Sequence, residues 1–291
     1  MAGDVDSPDL TTFLVIMLLA ENRAATAWTK QTAYAAFFGW SVVGPAALLL
    51  RKAHGVAGAR LNAVRHYSLS NALFAAFLDE SMTYSYTLEE AQKRKLRHIV
   101  RAARIKTTDH VLEIGGGWGS FAILAARETG CHVTTITPSE EQASLIRERV
   151  TASSLSPGQV QVLVCDYREV LSALSVTTKA AAAAAGGGRR GEEAAATTKF
   201  DKIVSIEMLE HVGHECLETY FRCMDRYLQD GPEGIAVFQS ITMSDAHYEA
   251  YLRGGDDFIR RYVFPGGELP SVAALVEGSG AGPGAGSWSR M

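Results

Sequence analysis

The 291-residue sequence predicts an α/β fold, an open and mainly parallel sheet with helices on both faces. Two observations predict it. Between residues 87 and 241, short apolar runs alternate with segments of helical periodicity, and strands joined through helices run parallel. One of these runs ends in an acidic residue and a glycine turn that opens the next helix, as in nucleotide-binding α/β units. Composition agrees: 47% of residues are hydrophobic and 21% charged, ordinary usage for a globular chain long enough to fill a core.

The elements follow in order. Residues 87–104 read as a helix, with Leu88, Ala91, Leu96, Ile99, Val100 and Ala103 at helical spacing, Thr87 as N-cap and Glu90 completing a capping box. Residues 110–114 are a strand, 115–119 a turn and 120–128 a helix. Residues 131–136 are the second strand, followed by a helix at 139–150 capped by Ser139. Residues 160–164, 201–206 and 235–241 are the remaining strands, with a helix at 216–228 between the last two. Residues 177–198 are an alanine- and glycine-rich stretch with no apolar face, read as a disordered insertion, and 277–291 as a flexible tail.

Other classes are excluded by simple properties. Net charge is −4, from 28 basic and 32 acidic residues, so no cationic field exists to hold nucleic acid. Cys131, Cys165, Cys216 and Cys223 lack CxxC spacing, which fits a reducing, cytoplasmic setting without disulfides or a metal site. The apolar run at 10–20 follows Asp4, Asp6 and Asp9 and so does not read as a secretory signal. The apolar stretch at 34–50 reads as a packed helix, with a membrane-surface helix and a transmembrane helix as alternatives. Lys93, Arg94, Lys95, Arg97, His98, Arg101, Arg104 and Lys106 give the helix at 87–104 and its exit a basic side, read either as a solvated face or as a contact for anionic headgroups.

The strongest local signal is VLEIGGGWG at 111–119. Glycines permit positive φ and close approach of a ligand, and the helix that follows favours an anionic group. A glycine turn of this kind also fits nicotinamide enzymes or a purely structural turn. Gly115, Gly117 and Gly119 alternate, however, and Phe121 and Ala122 occupy the place of a dinucleotide motif's last glycine, which favours S-adenosyl-L-methionine.

Seven ordered blocks carry a family resemblance: HYSLSN at 66–71, FLDESMTYS at 77–85, VLEIGGGWG at 111–119, TPSEEQ at 137–142, DYR at 166–168, IEMLEHVG at 206–213 and FPGGELPS at 264–271. In these the chain resembles the cyclopropane-fatty-acid synthase family of S-adenosylmethionine-dependent methyltransferases, in its plant and algal branch. The resemblance implies a class I methyltransferase, Rossmann-like fold with strand order 3-2-1-4-5, lacking the last two strands of the family's sheet. It also implies a helical N-terminal segment at 1–64 left over from a preceding region, a methyltransferase domain at 65–276, and truncation at both ends. The strand at 235–241 would then be an apolar edge.

The resemblance assigns roles residue by residue. Tyr84 and Ser85 touch the cofactor, Glu113, Gly115, Gly117, Trp118 and Gly119 form the turn beneath it, Thr137 and Gln142 contact adenosine and ribose, and Tyr167 and Arg168 line the adenine. The usual acidic residue at the end of the second strand is replaced by Thr135-Ile136-Thr137, and Gln142 takes over the ribose. Core packing is the alternative for each aromatic.

Chemistry at a carbon–carbon double bond needs a shielded cation and then a base. Tyr84, Tyr86 and Trp118 are the aromatic candidates for shielding. The family is implied to use a bound bicarbonate held by a Cys, a Glu, a His and a Tyr. Glu210 matches the Glu, Tyr86 stands at the Cys and Gln239 at the His, and the Tyr would fall beyond the last residue. Glu210, Tyr84 and Gln239 are the catalytic candidates, and His211 reads equally as a helix-start or core residue. The implied substrate is the unsaturated acyl chain of a phospholipid, reached from a membrane surface. The alternatives are a small-molecule N-methyltransferase or sphingolipid C-methyltransferase, and a cofactor-binding but catalytically incompetent fragment.

Overall fold

The computed structural model describes residues 89–184, 199–254, 260, 264 and 266–280, with backbone alone for 178–184. The expectations for Thr87, Tyr84, Ser85, Tyr86, the segment 1–64 and its apolar stretch at 34–50, and most of the insertion and tail lie outside these residues. Helix α1 spans Glu89–Ala102, with acidic residues in its first turn and Arg101 in its last, matching the helix dipole. Then come β1 (His110–Ile114), α2 (Ser120–Thr129), β2 (His132–Thr137), α3 (Glu140–Ala152), β3 (Val160–Val164) and α4 (Val170–Ala184). The order closes with β4 (Lys202–Ile206), α5 (Leu217–Tyr227), β5 (Ile235–Gln239), α6 (Asp245–Arg253) and α7 (Val272–Gly280).

The five strands are parallel and stand in the order β3-β2-β1-β4-β5. That is the expected order. Central β1 alternates its side chains between two apolar layers. Val111 faces α1 and α2 with Leu96, Ile99, Phe121 and Ala122, whereas Leu112 and Ile114 face α4 and α5 with Val170, Leu174, Tyr220 and Met224. Both faces of the sheet are therefore covered, and all carboxyl ends of the strands open to one side.

Several boundaries differ from the sequence reading for physical reasons. Strand β5 stops at Gln239, two residues early, because the Ile241 amide donates to Glu210 Oε1 at 2.6 Å and leaves the ladder; Ile241 is 54% exposed. Helix α4 runs on to Ala184, eight residues into the expected insertion, carried by alanines of the highest helix propensity. Helix α7 continues to Gly280, past the expected start of the tail, with Gly278 close against Leu217. β5 is half-buried throughout and is the last strand of the sheet among the described residues.

The basic side of α1 and its exit is largely neutralised. Lys93 and Arg94 pair within the helix with Glu89 and Glu90, Lys95 pairs with Glu207, Arg97 with Glu128 and Lys106 with Glu233. All four cysteines are free. Among the described residues no group of three or more metal-ligating side chains occurs, and no helix is long and apolar enough to cross a membrane.

Candidate active site at the carboxyl ends of the strands

The turn after β1 is tied to β2, since the Gly115 and Gly116 amides both donate to the Ile136 carbonyl, at 3.2 and 2.9 Å. Gly115, Gly117 and Gly119 all have positive φ, at +84°, +52° and +85°. Their surroundings differ. A Cβ at Gly115 would lie 3.3 Å from Met208 Cβ and one at Gly119 would lie 2.9 Å from Ile146 Cγ2, but among the described residues one at Gly117 would meet nothing within 4 Å. Gly117 thus faces open space in a conformation that side chains avoid. Helix α2 starts at Ser120, after Gly119 as an N-cap with no side-chain cap bond, and its N-terminus favours an anionic group.

Beside the turn, at the exit of β2, Thr137 and Gln142 form a fixed pair. The Thr137 hydroxyl accepts the Ser139 amide at 3.2 Å and donates to Gln142 Oε1 at 2.6 Å. Ser139 caps α3 by accepting the Gln142 amide. Because the Thr137 proton goes to the amide oxygen, Gln142 Nε2 is left buried without a hydrogen-bond partner among the described residues. A buried donor with nothing to bind is costly unless a ligand meets it.

At the exit of β3, Asp166 holds the Arg168 guanidinium in two hydrogen bonds of 2.6 and 2.9 Å, and the guanidinium lies over the Tyr167 ring at 4.7 Å. Tyr167 is buried edge-on against Tyr220, and its hydroxyl has no partner. Burial pushes that phenol above its ordinary value, with Arg168 opposing in part. Trp118 is 3% exposed and belongs to the core, with its carbonyl accepting from Arg149 at 2.6 Å. It therefore forms part of the packing beneath the turn.

The exits of β4 and β5 carry Glu210 and Gln239. Glu210 sits in a short 3-10 turn, Leu209–His211, and is 8% exposed. Its Oε1 accepts the Ile241 amide, its Oε2 is buried without a partner, and Gln239 Oε1 is likewise buried without one. Burial raises the Glu210 proton affinity, and the backbone amide of Ile241 offsets part of that shift. The Glu268 amide donates to the Glu210 carbonyl at 2.7 Å, and the Glu268 carboxylate accepts both the amide and the ring nitrogen of His214. His211 lies edge-on to Phe264 at 6.1 Å.

Glu113, at the end of β1, is 3% exposed. Burial pushes its carboxyl up to about 7, and the neighbouring Thr135 hydroxyl offsets this in part. Its Oε2 lacks a hydrogen-bond partner of good geometry. Three further residues shape the site without having been singled out in the sequence. Gly116 sits so tightly that a Cβ there would fall 2.0 Å from Thr135 Oγ1. Glu207 takes a left-handed conformation, φ +51°, while pairing with Lys95 at 3.1 Å. Met208 walls Gly115. Gly116 was visible as a third glycine in the turn, but the strand register that puts Thr135 beside it was not.

The family described as mycolic acid cyclopropane synthetase matches residues 57–178 and 192–282. The chain is 35% identical over 237 residues to the tuberculostearic acid methyltransferase of Mycobacterium tuberculosis, covering 76% of this chain and 48% of that one. It is 33% identical over 221 residues to the cyclopropane-fatty-acyl-phospholipid synthase of Escherichia coli, covering 74% and 48%. The sphingolipid C9-methyltransferase of Komagataella phaffii is 26% identical over 230 residues, covering 74% and 43%. The chain thus spans about half the length of the curated relatives it matches. Among solved structures, a cyclopropane synthase from Mycobacterium tuberculosis superposes with a TM-score of 0.60 at 23% identity, over 76% of this chain and 73% of that one. A mycolic acid cyclopropane synthase complexed with SAH and CTAB gives 0.58 at 25% identity, over 76% and 73%. The match takes in the glycine turn, the Thr137–Gln142 pair and Glu210 alike, and the chain belongs to the mycolic acid cyclopropane synthetase family.

Proposed function

We propose that the crevice binds S-adenosyl-L-methionine and that the protein transfers its one-carbon unit to the double bond of an unsaturated fatty acyl chain of a phospholipid. The observation that carries the reading is Gln142: a buried amide nitrogen without a partner, fixed in place by Thr137, beside an open glycine position and an uncapped helix start. The relatives named for lipid methylation and cyclopropanation supply the substrate class. When bound, the cofactor supplies an electrophilic methyl group on a sulfonium.

The chain's own residues have the following parts in this reading. Gln142 Nε2 donates to a ribose hydroxyl, and the α2 amides receive the carboxylate of the methionine part. Tyr167 and Arg168 form the wall beside the adenine, and Tyr84 and Ser85, outside the described residues, are assigned to the cofactor by their sequence motif alone. Glu210 keeps its proton more readily than an exposed carboxyl, so its free Oε2 suits an anion such as bicarbonate. Gln239 Oε1 would accept a hydrogen bond from the O–H of the same group. A bicarbonate held by Glu210 and Gln239 would supply a general base beside the reacting carbon. His98, Arg101 and Arg104 remain on and just after α1 as the contact for an anionic headgroup surface.

A second reading, methylation of a sphingolipid base, is favoured by the sphingolipid C9-methyltransferase among the relatives. One experiment separates the two: incubation with methyl-labelled S-adenosylmethionine and vesicles holding both an unsaturated phospholipid and an unsaturated sphingolipid. The proposal expects a mass gain of one CH₂ in the phospholipid acyl chains. Label in the sphingolipid base alone selects the second reading. Saturable cofactor binding without label in either lipid selects a cofactor-binding, catalytically incompetent chain and overturns both.

A further inference from the structure

Glu113 is the most deeply buried carboxyl at the site. Its side chain shares a face of β1 with Val111, under α1 and α2. Its register neighbours are Thr135 on β2 and Val204 on β4. From β2 it meets a hydroxyl and from β4 an aliphatic side chain. From α2 no titratable side chain occurs before Arg127, in the last turn. From α1 the buried residues are Gln92, Leu96 and Ile99, and the nearby cation on that helix, Lys95, is already paired with Glu207. Above it lies the turn itself, where a Cβ at Gly116 would come 3.3 Å from Glu113 Oε2. Among the described residues no charged group balances this carboxylate, and one of its oxygens has no hydrogen-bond partner of good geometry. An isolated carboxylate in such a place is unfavourable, and a protonated one is not.

We propose that Glu113 carries a proton in the ligand-free protein and releases it to solvent when a cationic ligand occupies the glycine turn. The inference rests on the reading of the turn as the S-adenosylmethionine site and adds to it. Glu113 becomes the group that reads the ligand's positive charge, and the step is a plain ionisation: the carboxyl O–H breaks, its electron pair stays on oxygen, and the proton goes to buffer. A fixed cation several ångströms away in a low-dielectric site favours the ionised carboxyl enough to shift its balance. The uptake of ligand is therefore linked to pH. Burial already holds the carboxyl up near 7 without ligand, which puts the linkage in an accessible range.

Two measurements test this. The first needs no ligand: the carboxyl carbons of ¹³C-glutamate-labelled protein are titrated by NMR, with Glu113→Gln identifying the resonance. The proposal expects one carboxyl that titrates near neutrality and is missing from the variant; ordinary acidic titration of every glutamate overturns it. The second is calorimetry with S-adenosylmethionine between pH 5 and 7, where the ligand's own amino group stays protonated. In buffers of different ionisation enthalpy, about one proton per ligand should be released at the acid end, and affinity should rise about tenfold per pH unit. The Glu113→Gln variant should release none. Binding without proton release overturns the proposal while leaving the cofactor reading intact. A wild-type chain that shows the neutral titration but binds no S-adenosylmethionine at any pH overturns the cofactor reading, and with it the linkage.

Discussion

Among the described residues, a methyl group added at Gly117 meets no atom within 4 Å, whereas one at Gly116 falls 2.0 Å from Thr135 Oγ1. The two adjacent glycines therefore predict different outcomes. Gly117→Ala should fold with a cost near 1 kcal/mol, from its left-handed φ, and lose most of its affinity for S-adenosylmethionine. Gly116→Ala should destabilise the fold by about 2 kcal/mol or more, because the strand neighbour must move. Urea unfolding of the two variants, with calorimetry of the first, checks this. Glu113 gives a third expectation. Its folded-state value is raised from 4.5 to about 7, so its contribution to stability is full below about 4.5 and is lost as pH rises through 7. Relative to Glu113→Gln, the wild type should lose up to about 3 kcal/mol between pH 4.5 and 8, measured by unfolding at each pH. At this scale the alternating glycines, Gln142 and Glu210 were legible in the sequence because each sits in a short local motif. The close contact of Gly116 with Thr135 and the backbone of Glu207 were not, because parallel register and a left-handed φ on a non-glycine leave no local pattern.

At the scale of elements, the exit of β3 is held from behind by α5. Tyr227 donates from its hydroxyl to the Tyr167 carbonyl at 2.8 Å, and Tyr220 donates to Ser205 on β4, also at 2.8 Å. Both hydroxyls are buried. Tyr227→Phe should leave the Tyr167 carbonyl without that donor and cost about 1–3 kcal/mol. It should also weaken cofactor binding through a loosened Tyr167–Arg168 wall, whereas a substitution on the exposed side of α5, such as Arg222→Ala, should change neither. Thermal unfolding and ligand titration of the pair measure the difference. The strand–helix alternation was readable because apolar period distinguishes buried strands from amphipathic helices. The ends were less so. β5 stops where a carboxylate from another loop takes the Ile241 amide, an outcome set outside the local window, and α4 persists through alanines of high helix propensity that the low-complexity reading passed over.

At the scale of the molecule, the described residues form a five-stranded sheet with the candidate site at its strand exits and β5 as its last strand. The family match passes over residues 179–191. Replacing residues 185–191 with a short Gly-Ser linker should therefore leave both the thermal midpoint and cofactor affinity essentially unchanged, a result that differential scanning calorimetry and binding titration would report. The chain covers about half of its curated relatives. The claim most open to test on the chain itself is therefore the cofactor site rather than the complete reaction. Calorimetric titration of the 291-residue protein with S-adenosylmethionine, alongside Gly117→Ala and Gln142→Ala, tests it most directly. Saturable one-to-one binding is expected of the wild type, with at least about a tenfold loss in each variant and folding retained. Absence of saturable binding by the wild type, or equal affinity in all three proteins, would contradict it.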